Sequence, residues 1–254
     1  MRILATACFV LVAGCATTEA PAPFPAEPRA GTVFHAFNKP NGAGPFPAVV
    51  LLHTCGGVQP HLFEWMRVLE SNGYASVAVD SFTPRGAGAC RLPTYYPASV
   101  DEFAEDAIAA LDSLRKRPDI DPRRIGVMGF SYGASVALRL ASPRYHRGMN
   151  RFAAAVSFYP VCTLFTPGEL RPRDDHLRAD VNTPTLILMG ADDNDTPGAV
   201  ASCISRVASL RADGRPIDIK VYPNAGHVFD ANNPEATRAA TRDLLEFLGR
   251  HLGK

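Results

Sequence analysis

The sequence predicts an α/β fold, a mostly parallel central sheet with helices on both faces. Three observations lead there. Short apolar runs bounded by turn residues alternate with longer stretches of helical period along most of the chain, the order a covered parallel sheet requires. A glycine-flanked serine, Gly129-Phe130-Ser131-Tyr132-Gly133, sits between one apolar run and a stretch of small and apolar residues at helical spacing. An aspartate cluster and a histidine follow later apolar runs at their C-terminal ends, the edge where a parallel sheet gathers its chemistry.

In chain order, residues 31–37 read as an early edge strand and residues 46–53 as a buried strand, Phe46-Pro47-Ala48-Val49-Val50-Leu51-Leu52-His53. A helix over 62–71 ends at Asn72-Gly73, and residues 74–80 form the next strand. Over 100–117, Phe103, Ala107, Ile108, Leu111 and Leu114 share one helical face. Asp101, Glu102, Glu105 and Asp106 lie near its start and Arg115, Lys116 and Arg117 near its end, as the helix dipole favours; Pro118 stops it. Asp121-Pro122 marks a turn before a strand over 124–128, and the serine motif leads into a helix over 134–141. Strands follow at 152–159, 185–189 and 217–222, with helices at 198–212 and 234–252. The polar stretch 160–183 is too short for a cap domain and predicts a fairly open site with at most a small flap.

The 254 residues, 46% of them hydrophobic, suffice for one buried core and one domain. A net charge of +1 argues against a basic face for nucleic acid. The N-terminus differs in kind. Met1-Arg2 precedes an apolar stretch of signal-peptide length that ends Val12-Ala13-Gly14-Cys15 and resembles the lipobox of bacterial lipoproteins. That resemblance implies a signal over 1–14, lipidation of Cys15, a flexible tether over 15–30 and a domain over 31–254. Ala16 after the cysteine favours a periplasm-facing protein anchored in the outer membrane of a Gram-negative cell. The alternative is an ordinary secretory signal cut nearby, for example after Ala22. Export makes Cys55, Cys90, Cys162 and Cys203 disulfide candidates. Four cysteines allow three pairings and sequence alone does not choose; Cys55–Cys90 with Cys162–Cys203 is preferred from their places in the strand-end loops. No CxxC occurs, so no zinc site is expected.

The glycines around Ser131 allow a sharp turn that holds the hydroxyl above the sheet at a helix N-terminus, as in the nucleophile elbow of α/β-hydrolases. A serine needs a base, and the base needs a carboxylate to set its tautomer. Asp192, Asp193 and Asp195 follow the strand at 185–189, and His227 follows the strand at 217–222, in the chain order Ser, acid, His of α/β-hydrolases. The α/β-hydrolase fold is therefore expected.

The chain resembles the dienelactone hydrolase family in His53-Thr54-Cys55-Gly56-Gly57, Asp80-Ser81-Phe82-Thr83-Pro84-Arg85-Gly86, the Gly129–Gly133 motif, Gly190 to Pro197, and Tyr222-Pro223-Asn224-Ala225-Gly226-His227-Val228-Phe229-Asp230. The resemblance spans 31–254. It implies hydrolysis of carboxylic esters or lactones through an acyl-enzyme, with no metal or organic cofactor. It also selects Asp193 as the acid, three residues after Gly190 and four before Pro197, although a one-residue slip would promote Asp192. Founding members carry cysteine at the elbow and a glutamate where this loop reads His53-Thr54-Cys55-Gly56, so a general serine esterase is expected rather than a thiolate enzyme. The oxyanion donors are expected at the N–H of Tyr132 and, by similarity with hydrolases whose loop reads His-Gly-X, of Cys55. Arg85 is a candidate for binding a substrate carboxylate, as family members use arginines in that region. Trp65, Tyr95 and Tyr96 are expected to pack in the core or on the surface rather than line an acyl pocket. Two other readings are a peptidase-type acyl hydrolase and a non-catalytic envelope binding protein of the same fold.

Overall fold

A computed structural model describes residues 34–92, 94–146, 148, 150–165 and 172–253. The signal, Cys15, the tether and the first three residues of the expected edge strand lie outside the described residues. The strands are β1 (Phe34–Asn38), β2 (Phe46–Leu52), β3 (Ala75–Val79), β4 (Ile120–Phe130), β5 (Ala154–Phe158), β6 (Thr163–Phe165), β7 (Pro172–Asp175), β8 (Thr185–Gly190) and β9 (Ile217–Tyr222). The helices are α1 (Pro60–Ser71), α2 (Val100–Arg115), α3 (Tyr132–Leu140), α4 (Ala199–Ala212), α5 (Phe229–Asn232) and α6 (Pro234–Leu252). Seven strands form one sheet in the order β1-β3-β2-β4-β5-β8-β9. Only its edge strand β1 runs antiparallel, against β3; every other pairing is parallel.

Parallel strands covered on both sides must be apolar on both faces, and β2 shows it. Ala48, Val50 and Leu52 join the core beneath α2, α3 and α4, while Val49 and Leu51 join the core beneath α1 and α6. Helix α2 begins with a capping box: the Glu102 N–H donates to Ser99 Oγ at 3.2 Å, and the Ser99 N–H donates to Glu102 Oε2 at 2.8 Å.

The register decides where chemistry can gather. Leu52 pairs with Gly129, Phe130 with Phe158, Phe158 with Leu188 and Gly190 with Tyr222. The C-terminal ends of five neighbouring strands therefore lie along one edge. Every chemically interesting loop leaves from it.

The structure departs from expectation in three places. Strand β4 begins at Ile120, not 124, because Ile120 pairs with Phe46 and the Phe46 N–H bonds the Asp119 carbonyl at 2.8 Å, with a register shift accommodating Pro122. The stretch expected as a small flap contains an antiparallel ribbon, β6 with β7. A short helix, α5, follows His227. Disulfides join Cys55 to Cys90 and Cys162 to Cys203, across sequence separations of 35 and 41 residues. Cross-links over loops of this size restrict the unfolded chain by about 3–4 kcal/mol each. The double variant Cys162→Ala/Cys203→Ala is expected to lower the unfolding free energy by that amount in urea titrations, with the denaturant slope showing whether the unfolded state expands.

Candidate active site

The site begins with a backbone bend. Ser131 follows β4 directly and has φ +51° and ψ −109°, a region that side chains other than glycine's rarely occupy. Three hydrogen bonds hold the bend: the Ser131 N–H to the Phe158 carbonyl (3.0 Å), the Ser135 N–H to the Ser131 carbonyl (3.1 Å), and the Gly133 N–H to the His53 carbonyl (3.1 Å). Gly133 is required by space, since a Cβ there would stand 2.5 Å from the Leu52 carbonyl oxygen and 2.6 Å from that of His53. The elbow thus packs straight onto the loop that leaves β2.

Ser131, His227 and Asp193, far apart in the chain, meet. Asp193 Oδ2 lies 2.8 Å from His227 Nδ1, and Ser131 Oγ lies 2.9 Å from His227 Nε2. An ionised carboxylate only accepts, so Nδ1 carries the ring proton and donates it; Nε2 is then the lone-pair nitrogen that accepts from the serine hydroxyl. Asp193 is 4% exposed, and its second oxygen accepts the Asp195 N–H at 3.2 Å. Asp192 is exposed and reaches the site only through its backbone, its N–H bonding the Ala225 carbonyl at 2.9 Å. Asp195 Oδ2 stands 3.8 Å from His227 Nε2, on the open side. Such a relay can draw a proton from Ser131 as its oxygen forms a new bond.

Behind the imidazole lies a polar brace that the sequence reading missed. The Tyr159 ring meets the His227 ring edge-on at 4.8 Å. Its hydroxyl donates to Asp230 Oδ1 (2.8 Å), and Trp65 Nε1–H donates to Asp230 Oδ2 (2.9 Å). Burial above all, with Asp230 adding to it, pushes the Tyr159 hydroxyl well above its ordinary range, so it remains a donor. Asp230 stands three residues after His227 within the matched motif, which was the available signal.

Cys55, Ser131, Tyr132 and His227 line one open cleft of about 840 Å³, together with Tyr95 and Tyr96. Packing was the expected role of all three aromatics: Tyr95 and Tyr96 line the cleft instead, whereas Trp65 packs against Phe130 and Phe158 as well as bonding Asp230. As the first residue of α3, Tyr132 has no acceptor for its N–H within the helix. The Arg85 expectation needs correcting. Its guanidinium spans Asp106, at 2.7 and 3.3 Å, and bonds the Ser81 carbonyl at 2.7 Å, outside the residues lining the cleft. A paired, half-buried fork of this kind is held by charge-assisted bonds. Among the described residues, no group of three or more His, Cys, Asp or Glu side chains could hold a metal ion, and no helix is long and apolar enough to cross a membrane.

His53 supports the loop carrying Cys55. Its Nε2 accepts the Ser81 N–H at 3.2 Å, which leaves the proton on Nδ1, donated to the Thr54 carbonyl at 2.7 Å. Burial lowers its pKa, as the neutral ring in this bonding pattern requires.

A sheet of this topology with serine, imidazole and carboxylate joined at its C-terminal edge defines an α/β-hydrolase. The dienelactone hydrolase family model matches residues 34–252, so the chain belongs to that family and is a carboxylic ester hydrolase. A relative from Escherichia coli (strain K12), provisionally named carboxymethylenebutenolidase, is 28% identical over 236 residues, covering 87% of this chain and 83% of its own. A Bacillus subtilis (strain 168) protein named as an uncharacterized peptidase is 28% identical over 217 residues, but the match covers 31% of its length. Among solved structures, a provisionally named dienelactone hydrolase from Klebsiella pneumoniae is 24% identical with a TM-score of 0.65, over 84% of this chain and 91% of that one. Thermogutta terrifontis esterase 2 is 19% identical with a TM-score of 0.65, over 85% and 88% of the two chains. These likenesses show the fold.

A histidine whose folded pKa lies below its unfolded value binds fewer protons folded than unfolded. The stability it contributes is complete above the unfolded value, near 6.5, and is lost as pH falls through and below it. Urea unfolding between pH 8 and pH 5 should therefore show declining stability below about 6.5, and His53→Gln should reduce that slope by up to about 1.4 kcal/mol per pH unit. An unchanged slope would refute the assignment to His53.

Proposed function

We propose that the protein is a serine esterase that cleaves small carboxylic esters or lactones through an acyl-enzyme. The observation that carries this reading is the continuous relay, 2.8 Å from Asp193 to His227 and 2.9 Å from His227 to Ser131, open to a cleft. As Ser131 Oγ attacks the carbonyl carbon, its proton passes to His227 Nε2, and Asp193 steadies the resulting imidazolium. The tetrahedral oxyanion takes hydrogen bonds from the N–H groups of Tyr132 and Cys55, at the α3 N-terminus and the β2 loop, each worth roughly 3 kcal/mol in the barrier. Collapse expels the alkoxide, which takes the proton from Nε2. In a lactone the alcohol stays tethered to the acyl group. Water then gives a proton to Nε2, attacks the acyl carbon, and the second collapse frees the acid and restores the serine hydroxyl.

The names of the relatives favour esters and lactones, and the structures of the Thermogutta esterase include butyrate-bound, propionate-bound and paraoxon-phosphorylated forms. The open cleft suits small esters better than an extended peptide, whose amine leaving group also demands stronger protonation. Two disulfides accord with an oxidising compartment, and export with lipidation of Cys15 remains part of the proposal.

A fluorophosphonate probe should label the wild type but not Ser131→Ala, and p-nitrophenyl esters should outpace peptide anilides. Asp193→Asn should lower kcat about 10⁴-fold, the scale on which an orienting aspartate acts, while Asp192→Asn should leave kcat/KM unchanged. Failure of pure, folded wild type to label would remove the serine mechanism. Separately, metabolic labelling with a palmitate analogue should mark the full chain and not Cys15→Ser.

A further inference from the structure

Beside the reacting serine, one covalent bond joins two parts of the cleft that have separate tasks. Cys55 lines the cleft and is linked through sulfur to Cys90. The same two residues are tied by backbone, the Cys90 N–H donating to the Cys55 carbonyl at 2.8 Å. Cys90 opens the stretch that brings Leu92, Tyr95 and Tyr96 to the cleft. Two backbone bonds close this stretch on itself, Arg91 N–H to the Tyr95 carbonyl (2.9 Å) and Tyr95 N–H to the Arg91 carbonyl (3.0 Å). At its far end Tyr96 leans on Tyr132, the residue after the nucleophile, with ring centroids 5.1 Å apart.

Core packing reaches this stretch at its ends, where Cys90 packs against the core and Ala98 is buried, and much less between them. Leu92, Tyr95 and Tyr96 are 60%, 43% and 42% exposed. Near its base the two loops touch closely: at Gly57, with φ +74°, a Cβ would come 2.2 Å from the Gly88 carbonyl oxygen. Half-exposed side chains gain less from any one position, so the wall leans on its ends: the disulfide and core contact at Cys90, and at the far end the Tyr96–Tyr132 ring contact with the Tyr132 hydroxyl donating to the Ala98 carbonyl at 2.8 Å.

We propose that the Cys55–Cys90 disulfide is a positioning element of the reaction: it aims the Cys55 N–H at the oxyanion and, through the same bond, sets an aromatic wall of Tyr95 and Tyr96 that receives the aryl or other apolar part of the ester. This rests on the serine esterase reading above. Selectivity for aromatic over acetyl groups then depends on the oxidised state of this pair. The second disulfide offers an internal contrast, since Cys162 and Cys203 are fully buried whereas Cys55 and Cys90 are partly exposed. A small thiol reductant reaches the first pair in the folded protein, delivering two electrons and two protons to give two thiols while the reductant itself becomes a disulfide.

The test compares Cys90→Ala with Cys162→Ala/Cys203→Ala, which opens a loop of similar length, using p-nitrophenyl acetate and p-nitrophenyl benzoate. Cys90→Ala should lower kcat about 10- to 100-fold, a partial loss of one oxyanion donor, and should raise KM for the benzoate more than for the acetate. The buried-pair variant should keep wild-type kcat and selectivity. Dithiothreitol in native buffer should reproduce the Cys90→Ala kinetics in the wild type, reversibly on reoxidation, and should do nothing further to Cys90→Ala. That arm keeps the question open to refutation if Cys90→Ala does not fold. Wild-type kinetics in Cys90→Ala or in the reduced protein, or equal losses in both variants, would overturn the proposal. A wild type that cleaves neither ester and takes no fluorophosphonate would instead overturn the esterase reading beneath it.

Discussion

A carboxylate withdrawn from water must be paired, and Asp193 is the withdrawn carboxylate around which this site is ordered. At 4% exposure its charge is tolerable because the His227 Nδ1–H and the Asp195 N–H both point at it. Leaving such a charge unpaired costs several kcal/mol. That penalty fixes the tautomer of His227, and the tautomer in turn places the lone pair of Nε2 against the Ser131 hydroxyl. A single desolvated charge thus sets the proton positions of His227 and Ser131.

The frame that makes this pairing possible is the register of the sheet, and its strain is concentrated at the same edge. Among the described residues other than glycine, positive φ occurs at Ser131, Tyr159, Asn224 and Val228. Ser131 and Tyr159 follow the last residues of β4 and β5, and Asn224 and Val228 flank His227 in the turn after β9. Each such conformation costs of order 1–3 kcal/mol and persists only where surrounding structure over-determines it. Here the strand ends do so through backbone bonds, such as Tyr159 N–H to the Leu188 carbonyl at 2.8 Å. A stiff, doubly covered core carries the strain so that side chains at its rim stay aimed.

Polar groups near the site divide by what they meet. His53 is held neutral between Ser81 and Thr54, so it braces the β2 loop and keeps no nitrogen for a substrate. Arg85 is paired with Asp106 and stands outside the residues that line the cleft. Tyr95 and Tyr96 stand on the cleft's wall, with Glu102, His176 and Asp195 among the polar groups that share it.

Much of this was legible from local chemistry. Apolar period marked the strands and helices, glycine spacing marked the elbow, and the chain order of serine, aspartate and histidine placed their loops at successive strand ends. Those features depend on neighbours a few residues apart, which a sequence displays directly. Tertiary structure decided which of three nearby aspartates reaches Nδ1, which partner Arg85 takes, and that Tyr159, Trp65 and Asp230 stand behind His227. It also brought Tyr95 and Tyr96 to the cleft rather than to the bulk surface. These outcomes turn on contacts between groups 21 to 165 residues apart, set by how the elements pack, which no local pattern encodes.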